Sequence, residues 1–269
     1  MELSLSTPLA SRLVWLDEVG STNTHLVAAV NSSEASEWPD FSVVATDNQV
    51  AGKGRLGRDW TAPAGASLAV SVLLRPETPA GRPLPPEALS WFGLLAGLAM
   101  TRACNSVLPE GKHASIKWPN DVLIDGKKVC GILSELVMTT NGAAIVVGTG
   151  VNIALAEADL PVPTATSLSI EGATTTLDAL LAAYLTEFSR ITKVFVSAAG
   201  NVRSSGLLDQ VSELCGTVGK SVRVELPSGE NPVGTALGIN EQGSLMVEVA
   251  NCSEPLVVAA GDVTHLRVV

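Results

Sequence analysis

The sequence predicts a mixed α/β domain followed by a small all-β domain. Three observations predict this fold class. Short apolar, β-branched runs alternate with two long apolar segments of helical length, and loops rich in glycine or proline separate them. Around Gly216 the pattern changes, and apolar residues then alternate at period two. We therefore predict a larger domain at residues 1–214 and a β domain at residues 215–269.

Strands and helices alternate in the first part of the chain. Apolar or β-branched runs predict strands at residues 13–16, 41–46 and 68–74. Ser21 or Thr22 follows a glycine and is placed to cap a helix that continues through Val30. The apolar stretch 89–104 is long enough to predict a buried helix.

The next part is richer in strands, including short ones near 116–118 and through Leu136. A hairpin is expected at 122–131 because Asp125-Gly126 favours a tight turn. The apolar run 143–151 is typical of a central strand, and 177–196 carries apolar residues at helical spacing. Glycine turns, such as those at 228–229 and 242–243, separate the short strands of the β domain, which indicates a small barrel.

The composition is that of a packed globular protein, with 46% hydrophobic and 16% charged residues among 269. The formal net charge of −10 argues against a general binder of nucleic acid or anionic membranes. Four scattered cysteines and only three histidines favour buried thiols over a zinc site. No signal peptide or run of roughly 18 apolar residues is present, so we expect a cytoplasmic protein.

Residues 49–60 (QVAGKGRLGRDW) form the most informative segment. They match the G-x-G-x-x-G pattern of dinucleotide-binding folds at Gly52, Gly54 and Gly57. However, only ten residues separate Gly57 from Leu68, and these include a proline and a glycine. No room is left for the crossover helix of such a fold, so the dinucleotide-binding hypothesis fails.

The same segment is instead interpreted as a flexible cationic loop. Lys53, Arg55 and Arg58 lie on a glycine-rich backbone that can approach a ligand closely and surround an anion with donors. Trp60 adds a surface on which a base can stack. The alternative is an ordinary solvated loop, which is common for basic segments.

Three further motifs carry chemistry. Lys117-Trp118-Pro119-Asn120-Asp121 places a cation and a carboxylate near one turn, although a simple capped turn explains it equally well. Of the adjacent Lys127 and Lys128, only one can face a pocket, since side chains alternate along a strand. Residues 148–152 (GTGVN) end a buried strand with two glycines and Asn152, whose amide can bind a purine edge or belong to a plain turn.

Taken together and in this order, the segments 20–23 (GSTN), 49–60, 117–121, 127–133 and 148–152 resemble the motifs of the biotin protein ligases. The C-terminal β domain resembles the SH3-like domain of that family. The resemblance implies an α/β catalytic domain related to class II aminoacyl-tRNA synthetases and to lipoate ligases. It also implies an ATP-dependent activity that forms biotinyl-5′-AMP. The biotinyl group then passes to a lysine of the biotin carboxyl carrier domain of an acyl-CoA or pyruvate carboxylase.

By position in these motifs, the resemblance assigns roles to individual residues. The catalytic residues are Lys128, Arg55 and Lys117. The biotin-binding residues are Ser21, Thr22, Asn23, Gln49, Lys53, Gly54, Arg55, Lys128 and Gly131. The residues that bind ATP or the adenylate are Gly52, Arg55, Arg58, Trp60, Lys117, Asn120 and Asn152, with Trp60 on the adenine face and Asn152 at its edge. Mg²⁺ is expected to arrive with ATP, with Asp121 as its protein carboxylate and no further protein cage.

One position departs from the resemblance, since Lys53 stands where the family motif has arginine and lacks its planar fork. A lipoate ligase is the main alternative, but the polar pair Ser21 and Gln49 suits the ureido group of biotin better. A DNA-binding repressor is disfavoured because few residues precede the first motif and the chain is acidic. A non-catalytic carrier-binding module is disfavoured because the catalytic residues are present. Monomer and homodimer both remain open.

Overall fold

A twisted sheet of seven strands organises the larger part of the protein. The computed structural model describes residues 1–139, 142–226, 229–259 and 261–266. The first nine strands in chain order are β1 (Arg12–Trp15), β2 (Ser42–Thr46), β3 (Gly52–Lys53), β4 (Asp59–Trp60), β5 (Ser67–Leu74), β6 (Ala114–Lys117), β7 (Asp121–Ile124), β8 (Lys127–Thr139) and β9 (Gly142–Asn152). The sheet order is β1-β2-β5-β9-β8-β7-β6, and all pairs except β1–β2 are antiparallel. Strands β3 and β4 form a separate two-stranded ribbon.

Helices cover both faces of this sheet. The α-helices are α1 (Thr22–Val30), α2 (Pro86–Leu89), α3 (Trp91–Asn105), α4 (Leu177–Ser197) and α5 (Leu207–Leu214), and short 3₁₀ helices lie at Thr7–Leu9, Ala35–Glu37, Arg55–Gly57 and Glu157–Asp159. The side chains of α3 and α4 belong to one large apolar cluster with the sheet. On the opposite face, α1 packs Leu26 and Val30 against Val44, Leu73 and Val146. Each face is thus buried, as expected for near-continuous apolar strands.

A second sheet follows, which we call the C-terminal module. It contains β10 (Ser221–Glu225), β11 (Val233–Ile239), β12 (Leu245–Val249), β13 (Leu256–Val258) and β14 (Asp262–His265), all antiparallel in the order β13-β12-β11-β10-β14. Two tryptophans fasten it to the larger part. Trp91 Nε1 donates to the Glu241 carbonyl at 2.7 Å, and Trp118 Nε1 donates to the Gly243 carbonyl at 2.9 Å. The module is therefore held beside the end of the large sheet.

Most predicted elements are confirmed. Ser21 caps α1 by accepting a hydrogen bond from the Thr24 amide, and the Asp125-Gly126 turn has φ angles of 48° and 82°. Residues 57–67, all described, contain no α-helix, which confirms that the G-x-G-x-x-G pattern does not open a βαβ unit. Within the described ranges, no helix combines enough length and apolarity to cross a membrane.

Several details differ from the sequence predictions. The helix predicted at 89–104 is confirmed as α3, and the short helix α2, which ends at Leu89, was not predicted. The ribbon β3–β4 lies inside what was predicted to be a loop, and α5 and β14 were not predicted. The glycine turn predicted at 242–243 is present, with φ of 78° at Gly243, whereas residue 228 of the other turn lies outside the described residues.

Candidate active site

The floor of the candidate site is a pair of neighbouring strands that carry glycines at matched positions. In the β8–β9 register, Gly131 lies opposite Gly150. The Trp60 ring lies directly over both, since an added Cβ would come within 2.6 Å of the ring at Gly150 and 3.2 Å at Gly131. The two glycines therefore give a flat platform that side chains at these positions would block. Trp60 Nε1 is buried on this platform, and among the described residues it has no hydrogen-bond partner.

A cavity opens between this floor, the N-terminus of α1 and the 49–60 loop. It brings together thirteen of the sixteen predicted site residues: Ser21, Thr22, Asn23, Gln49, Lys53, Gly54, Arg55, Arg58, Trp60, Asn120, Asp121, Lys128 and Gly131. These residues come from segments far apart in sequence. Their convergence is the main structural result at this site.

One end of the cavity is polar and uncharged. The Thr22 backbone N–H donates to Gln49 Oε1 at 2.9 Å, and the Thr22 hydroxyl donates to the same oxygen at 3.2 Å. Ser21 and Thr22 are buried at the first turn of α1. The amide of Gln49 is therefore fixed in orientation beside two hydroxyl groups, which is a suitable arrangement for a ligand with both donors and acceptors.

Asn23 is held in this end by a network that the sequence analysis missed. Asn23 Nδ2 donates to Glu135 Oε2 at 2.6 Å and to the Leu133 carbonyl at 3.2 Å, and Ser71 Oγ donates to Asn23 Oδ1 at 2.6 Å. A Cβ at Gly148 would overlap the Asn23 amide, so a glycine is needed there. Strand alternation from Gly131 places Glu135 on the same face of β8, and this signal could have identified it.

The other end is charged. Lys128 Nζ lies 2.6 Å from Asp121 Oδ1, and Lys117 Nζ lies 3.8 Å from Asp121 Oδ2. The register of the β7–β8 pair shifts next to this group, because Val122 pairs with Cys130 and Leu123 with Lys128, which leaves Val129 of β8 as the extra residue. Lys128 lines the cavity, whereas Lys127 is exposed to solvent. One carboxylate thus lies between two ammonium groups at the end of the platform.

The cationic loop closes the cavity from above. Arg55 Nη1 donates to Asn120 Oδ1 at 3.0 Å, and Arg55 Nη2 donates to the Gly261 carbonyl at 3.2 Å. Arg58 Nη1 pairs with Asp262 Oδ2 at 2.7 Å. Asp262 belongs to the C-terminal module and lines the cavity, although no local pattern in the sequence indicates it. The candidate site is therefore completed by both sheets.

Three predicted residues lie outside the set that lines the cavity, namely Lys117, Gly52 and Asn152. Asn152 is buried, and its Nδ2 donates to the Thr166 carbonyl at 2.9 Å. Gly52 pairs with Trp60 in the ribbon, where a Cβ would overlap the Trp60 carbonyl. Lys117 is linked to the cavity by its ion pair with Asp121, which lines it. Their assigned contacts with ATP stay predictions.

Three of the four thiols are buried and are poor candidates for a nucleophile, whereas Cys252 is exposed, contrary to the prediction of buried thiols, and lies outside the set that lines this cavity. Burial raises the pKa of Cys104 to about 12 and raises the pKa of Cys130 well above its usual value. Burial also raises the pKa of Cys215, so all three are protonated at neutral pH. Among the residues that the structure describes, no group of three or more histidine, cysteine, aspartate or glutamate side chains could hold a metal ion.

Comparison with known proteins agrees with this geometry. The profile of the Biotin/lipoate A/B protein ligase family matches residues 15–152. The chain is 35% identical to a biotin–acetyl-CoA-carboxylase ligase of Mycobacterium tuberculosis, over 93% of this chain and 87% of the relative. It is 27% identical to the bifunctional ligase/repressor BirA of Escherichia coli, over 89% and 70%. A biotin protein ligase from Aquifex aeolicus in complex with biotin and ATP superposes with a TM-score of 0.74 at 25% identity, covering 96% of this chain and all of that one. The chain belongs to the biotin/lipoate A/B protein ligase family.

Proposed function

We propose that this chain is an ATP-dependent ligase that converts biotin to biotinyl-5′-AMP and transfers the biotinyl group to a lysine of a biotin carboxyl carrier protein. The observation that carries the proposal is the polarity of the cavity. An uncharged end at Ser21, Thr22 and Gln49 is separated by a glycine floor from a cationic end at Lys128 and Arg55. Biotin has the matching shape, with a polar ureido ring at one end and a carboxylate at the other.

The printed names of the relatives support the same conclusion. The Mycobacterium relative is named as a ligase of biotin to acetyl-CoA carboxylase, and the Aquifex protein is described in complex with biotin and ATP. Both are similar to this chain over nearly its whole length. The E. coli relative is also named a repressor, but nothing about the cationic loop or the cavity of this chain favours DNA as a ligand.

In the first step, a biotin carboxylate oxygen attacks the α-phosphorus of ATP, a new O–P bond forms, and pyrophosphate leaves. Negative charge builds up on the phosphoryl oxygens between attack and departure. Lys128 and Arg55 line the cavity on the floor and loop sides respectively and are placed to stabilise that charge. Asp121 orients Lys128 through the 2.6 Å ion pair. Preorganised donors of this kind lower the barrier without any reorganisation during the reaction.

In the second step, the amine of the carrier lysine attacks the acyl carbon of biotinyl-AMP. An amide bond forms, the bond from carbon to the phosphate oxygen breaks, and AMP leaves with the electron pair. The amine loses its proton to solvent or a nearby base. Neither step needs a protein nucleophile, which is consistent with the raised pKa values of the buried thiols. Positioning of the substrates and exclusion of water are then the main tasks of the protein.

Mg²⁺ bound with ATP would neutralise the triphosphate. The residues present fit such an ion, because Mg²⁺ keeps several waters and uses only one or two protein carboxylates besides phosphate. Asp121 faces the cavity and is our candidate for that carboxylate. We assign Trp60 to the adenine face, since its ring already lies on the platform with a buried, unpaired Nε1.

The finer structural and biological assignments are part of the same proposal. The larger part, 1–214, is assigned to the class II aminoacyl-tRNA synthetase type of fold, and 215–269 to an SH3-like domain. The five antiparallel strands of the C-terminal module support the second assignment. The proposed partner is the biotin carboxyl carrier domain of an acyl-CoA or pyruvate carboxylase, in the cytoplasm, with no nucleic acid or membrane involved.

Biotin-dependent ATP–pyrophosphate exchange tests the proposed function. We expect exchange with biotin and none with lipoate, since the Gln49 amide and its neighbouring hydroxyls match the ureido ring and not a dithiolane. Lys128→Ala should abolish most of the exchange, and Lys127→Ala is the matched control. Exchange with lipoate and not with biotin would identify the chain as a lipoate ligase. Exchange with neither acid would refute the proposal.

A further inference from the structure

The cationic loop touches the C-terminal module at two adjacent residues. Arg58 Nη1 forms an ion pair with Asp262 Oδ2 at 2.7 Å, and Arg55 Nη2 donates to the Gly261 carbonyl at 3.2 Å. The Arg55 and Gly261 positions are 206 residues apart in sequence. These contacts are therefore made only when the two sheets are assembled, and Asp262 itself lines the cavity.

We propose that Asp262 is a positioning residue for biotin activation. By pairing with Arg58, it holds the cationic loop over the cavity and so determines how long the activated biotin is retained. The inference rests on the proposed function, because it assumes that biotinyl-AMP forms beneath this loop. It gives the C-terminal module a specific task, which neither the family match nor the relatives' names assign.

The module presents Asp262 from a rigid position. Asp262 begins β14 and pairs with Glu225 of β10, and its Oδ1 accepts a hydrogen bond from the Val263 amide at 3.0 Å. The preceding Gly261 has φ of 151°, and a Cβ there would lie 2.8 Å from the Glu225 carbonyl. Only glycine allows the chain to pass so close. Strand pairing thus fixes the backbone at Asp262, and the close approach to the Glu225 carbonyl constrains the backbone at Gly261.

The loop is held at its two ends, where the Val50 and Ala51 amides donate to the Val19 and Gly20 carbonyls and the Trp60 ring lies on the platform. Between these ends, its described structure includes the two-residue ribbon, one short 3₁₀ helix and the Arg55–Asn120 hydrogen bond. The Arg58 side chain is 61% exposed, while that of Asp262 is 22% exposed. An ion pair with this exposure is screened by solvent and opens readily. Such a contact suits a loop that must open for biotin to enter and for the carrier lysine to approach.

Removal of the Asp262 carboxylate should weaken the retention of biotinyl-AMP but not the binding of ATP. The loop loses its link to the module, so biotinyl-AMP should escape faster. The cavity wall also loses a negative charge beside Arg58, so binding of the ATP phosphates should not weaken. A residue that only supported the packing of the module would weaken both retention and ATP binding. This difference separates a positioning role from a merely structural one.

The test uses the full chain with Asp262→Asn, Asp262→Glu and the control Glu248→Gln, which alters an exposed acid of the same module outside the cavity. Each protein is loaded with biotin and ATP, freed of excess ligand, and followed for release of biotinyl-AMP without a carrier. We expect Asp262→Asn to release it about two- to fivefold faster, the range for a solvent-screened ion pair. The KM for ATP should not rise, and Asp262→Glu should restore much of the retention.

Ionic strength gives an independent check. Added salt should speed release from the wild type toward the Asp262→Asn rate and should leave the variant nearly unchanged. Equal release from wild type and Asp262→Asn, or an equal change in Glu248→Gln, would overturn the inference, as would a rise in the KM for ATP together with faster release. If the wild type forms no biotinyl-AMP at all, the proposed function fails, which is a distinguishable result.

Discussion

The floor and the loop of this cavity are held in very different ways. Strands β8 and β9 pair continuously from Cys130–Val151 to Thr139–Gly142, and the positions of Lys128 and the platform glycines follow from that register. The middle of the loop is held by the side chains of two arginines, one of which is mostly exposed. The comparison teaches that the proposed site combines a cation on a continuously paired floor, Lys128, with cations on a more weakly held loop, Arg55 and Arg58. Substitutions in the two regions should therefore have different consequences.

The largest effect is expected at the cationic end of the floor. Lys128→Ala removes the ammonium group that Asp121 orients, and loss of one preorganised donor typically lowers the rate by about 10²–10³. The rate of pyrophosphate exchange at saturating biotin and ATP measures this. Lys127→Ala changes the neighbouring exposed lysine and should have little effect. Similar losses in both variants would mean that general positive charge, and not the position on the floor, matters.

A smaller effect is expected where the floor holds Asn23. Glu135→Ala removes the 2.6 Å acceptor of one Asn23 N–H, while the Leu133 carbonyl still accepts from the same nitrogen. A buried donor that loses its acceptor costs about 1–3 kcal/mol. We expect biotin to bind about tenfold or more weakly by calorimetry, with adenylation at saturating biotin much less affected. Glu135→Gln keeps an acceptor at the same position and should bind biotin more tightly than Glu135→Ala. An unchanged affinity of Glu135→Ala for biotin would show that the held position of Asn23 does not contribute to biotin binding.

Gly148 and Gly150 lie on the same strand, and substitutions at these positions test whether the floor is held more firmly than the loop. At Gly148, a Cβ would overlap the fixed Asn23 amide, whereas at Gly150 it would meet the Trp60 ring, which belongs to the loop segment. Gly148→Ala should therefore lower the free energy of unfolding by about 1–3 kcal/mol, the usual cost of overpacking. Gly150→Ala should cost less because the ring can move away. Urea denaturation of both variants decides this, and a larger loss for Gly150→Ala would show that Trp60 is as fixed as the floor.

The smallest effect concerns pH. Burial alone would raise the pKa of Asp262, but hydrogen bonding to Arg58 and the nearby Lys117 hold it below its usual value. A carboxyl with a lowered folded pKa stabilises the protein above its unfolded pKa of about 3.9, and this stabilisation disappears as the pH falls through the folded value. The melting temperature of Asp262→Asn should thus lie slightly below that of the wild type at pH 7, and the difference should shrink as the pH falls below the unfolded pKa toward the lowered folded pKa. A difference that does not shrink as the pH falls would mean that the ionised carboxylate is not responsible.

Local patterns predicted a large part of the fold and of the site. The Ser21 cap, the Asp125-Gly126 turn and the glycine spacing of the loop depend on neighbours in sequence, and the structure places these elements as expected. The roles of Glu135 and Asp262 depend on partners 112 and about 200 residues away. Strand alternation from Gly131 indicates the face on which Glu135 lies but not its partner, and no local pattern indicates Asp262. β14 was missed for a related reason, since its pairing with β10 and not its composition defines it.

Asn152 has a structural partner that its position in the motif does not indicate. Its contact with the adenine edge stays a prediction, and in the structure the Asn152 amide nitrogen donates to the Thr166 carbonyl. The Thr166 amide in turn donates to the Lys128 carbonyl at 2.8 Å. In the structure, Asn152 therefore supports the segment that borders the start of β8. Only the tertiary arrangement reveals that this amide is already engaged.

The central claim is that this fold activates biotin by positioning and charge alone, without a covalent bond to the protein. Native mass spectrometry of the chain after incubation with biotin, ATP and Mg²⁺, but no carrier, tests it most directly. The account predicts one biotinyl-AMP bound per chain under native conditions, an equal amount of released pyrophosphate, and unmodified protein after denaturation. Biotin bound without release of pyrophosphate, or an adenylyl- or biotinyl-enzyme that accumulates as the intermediate, would contradict it.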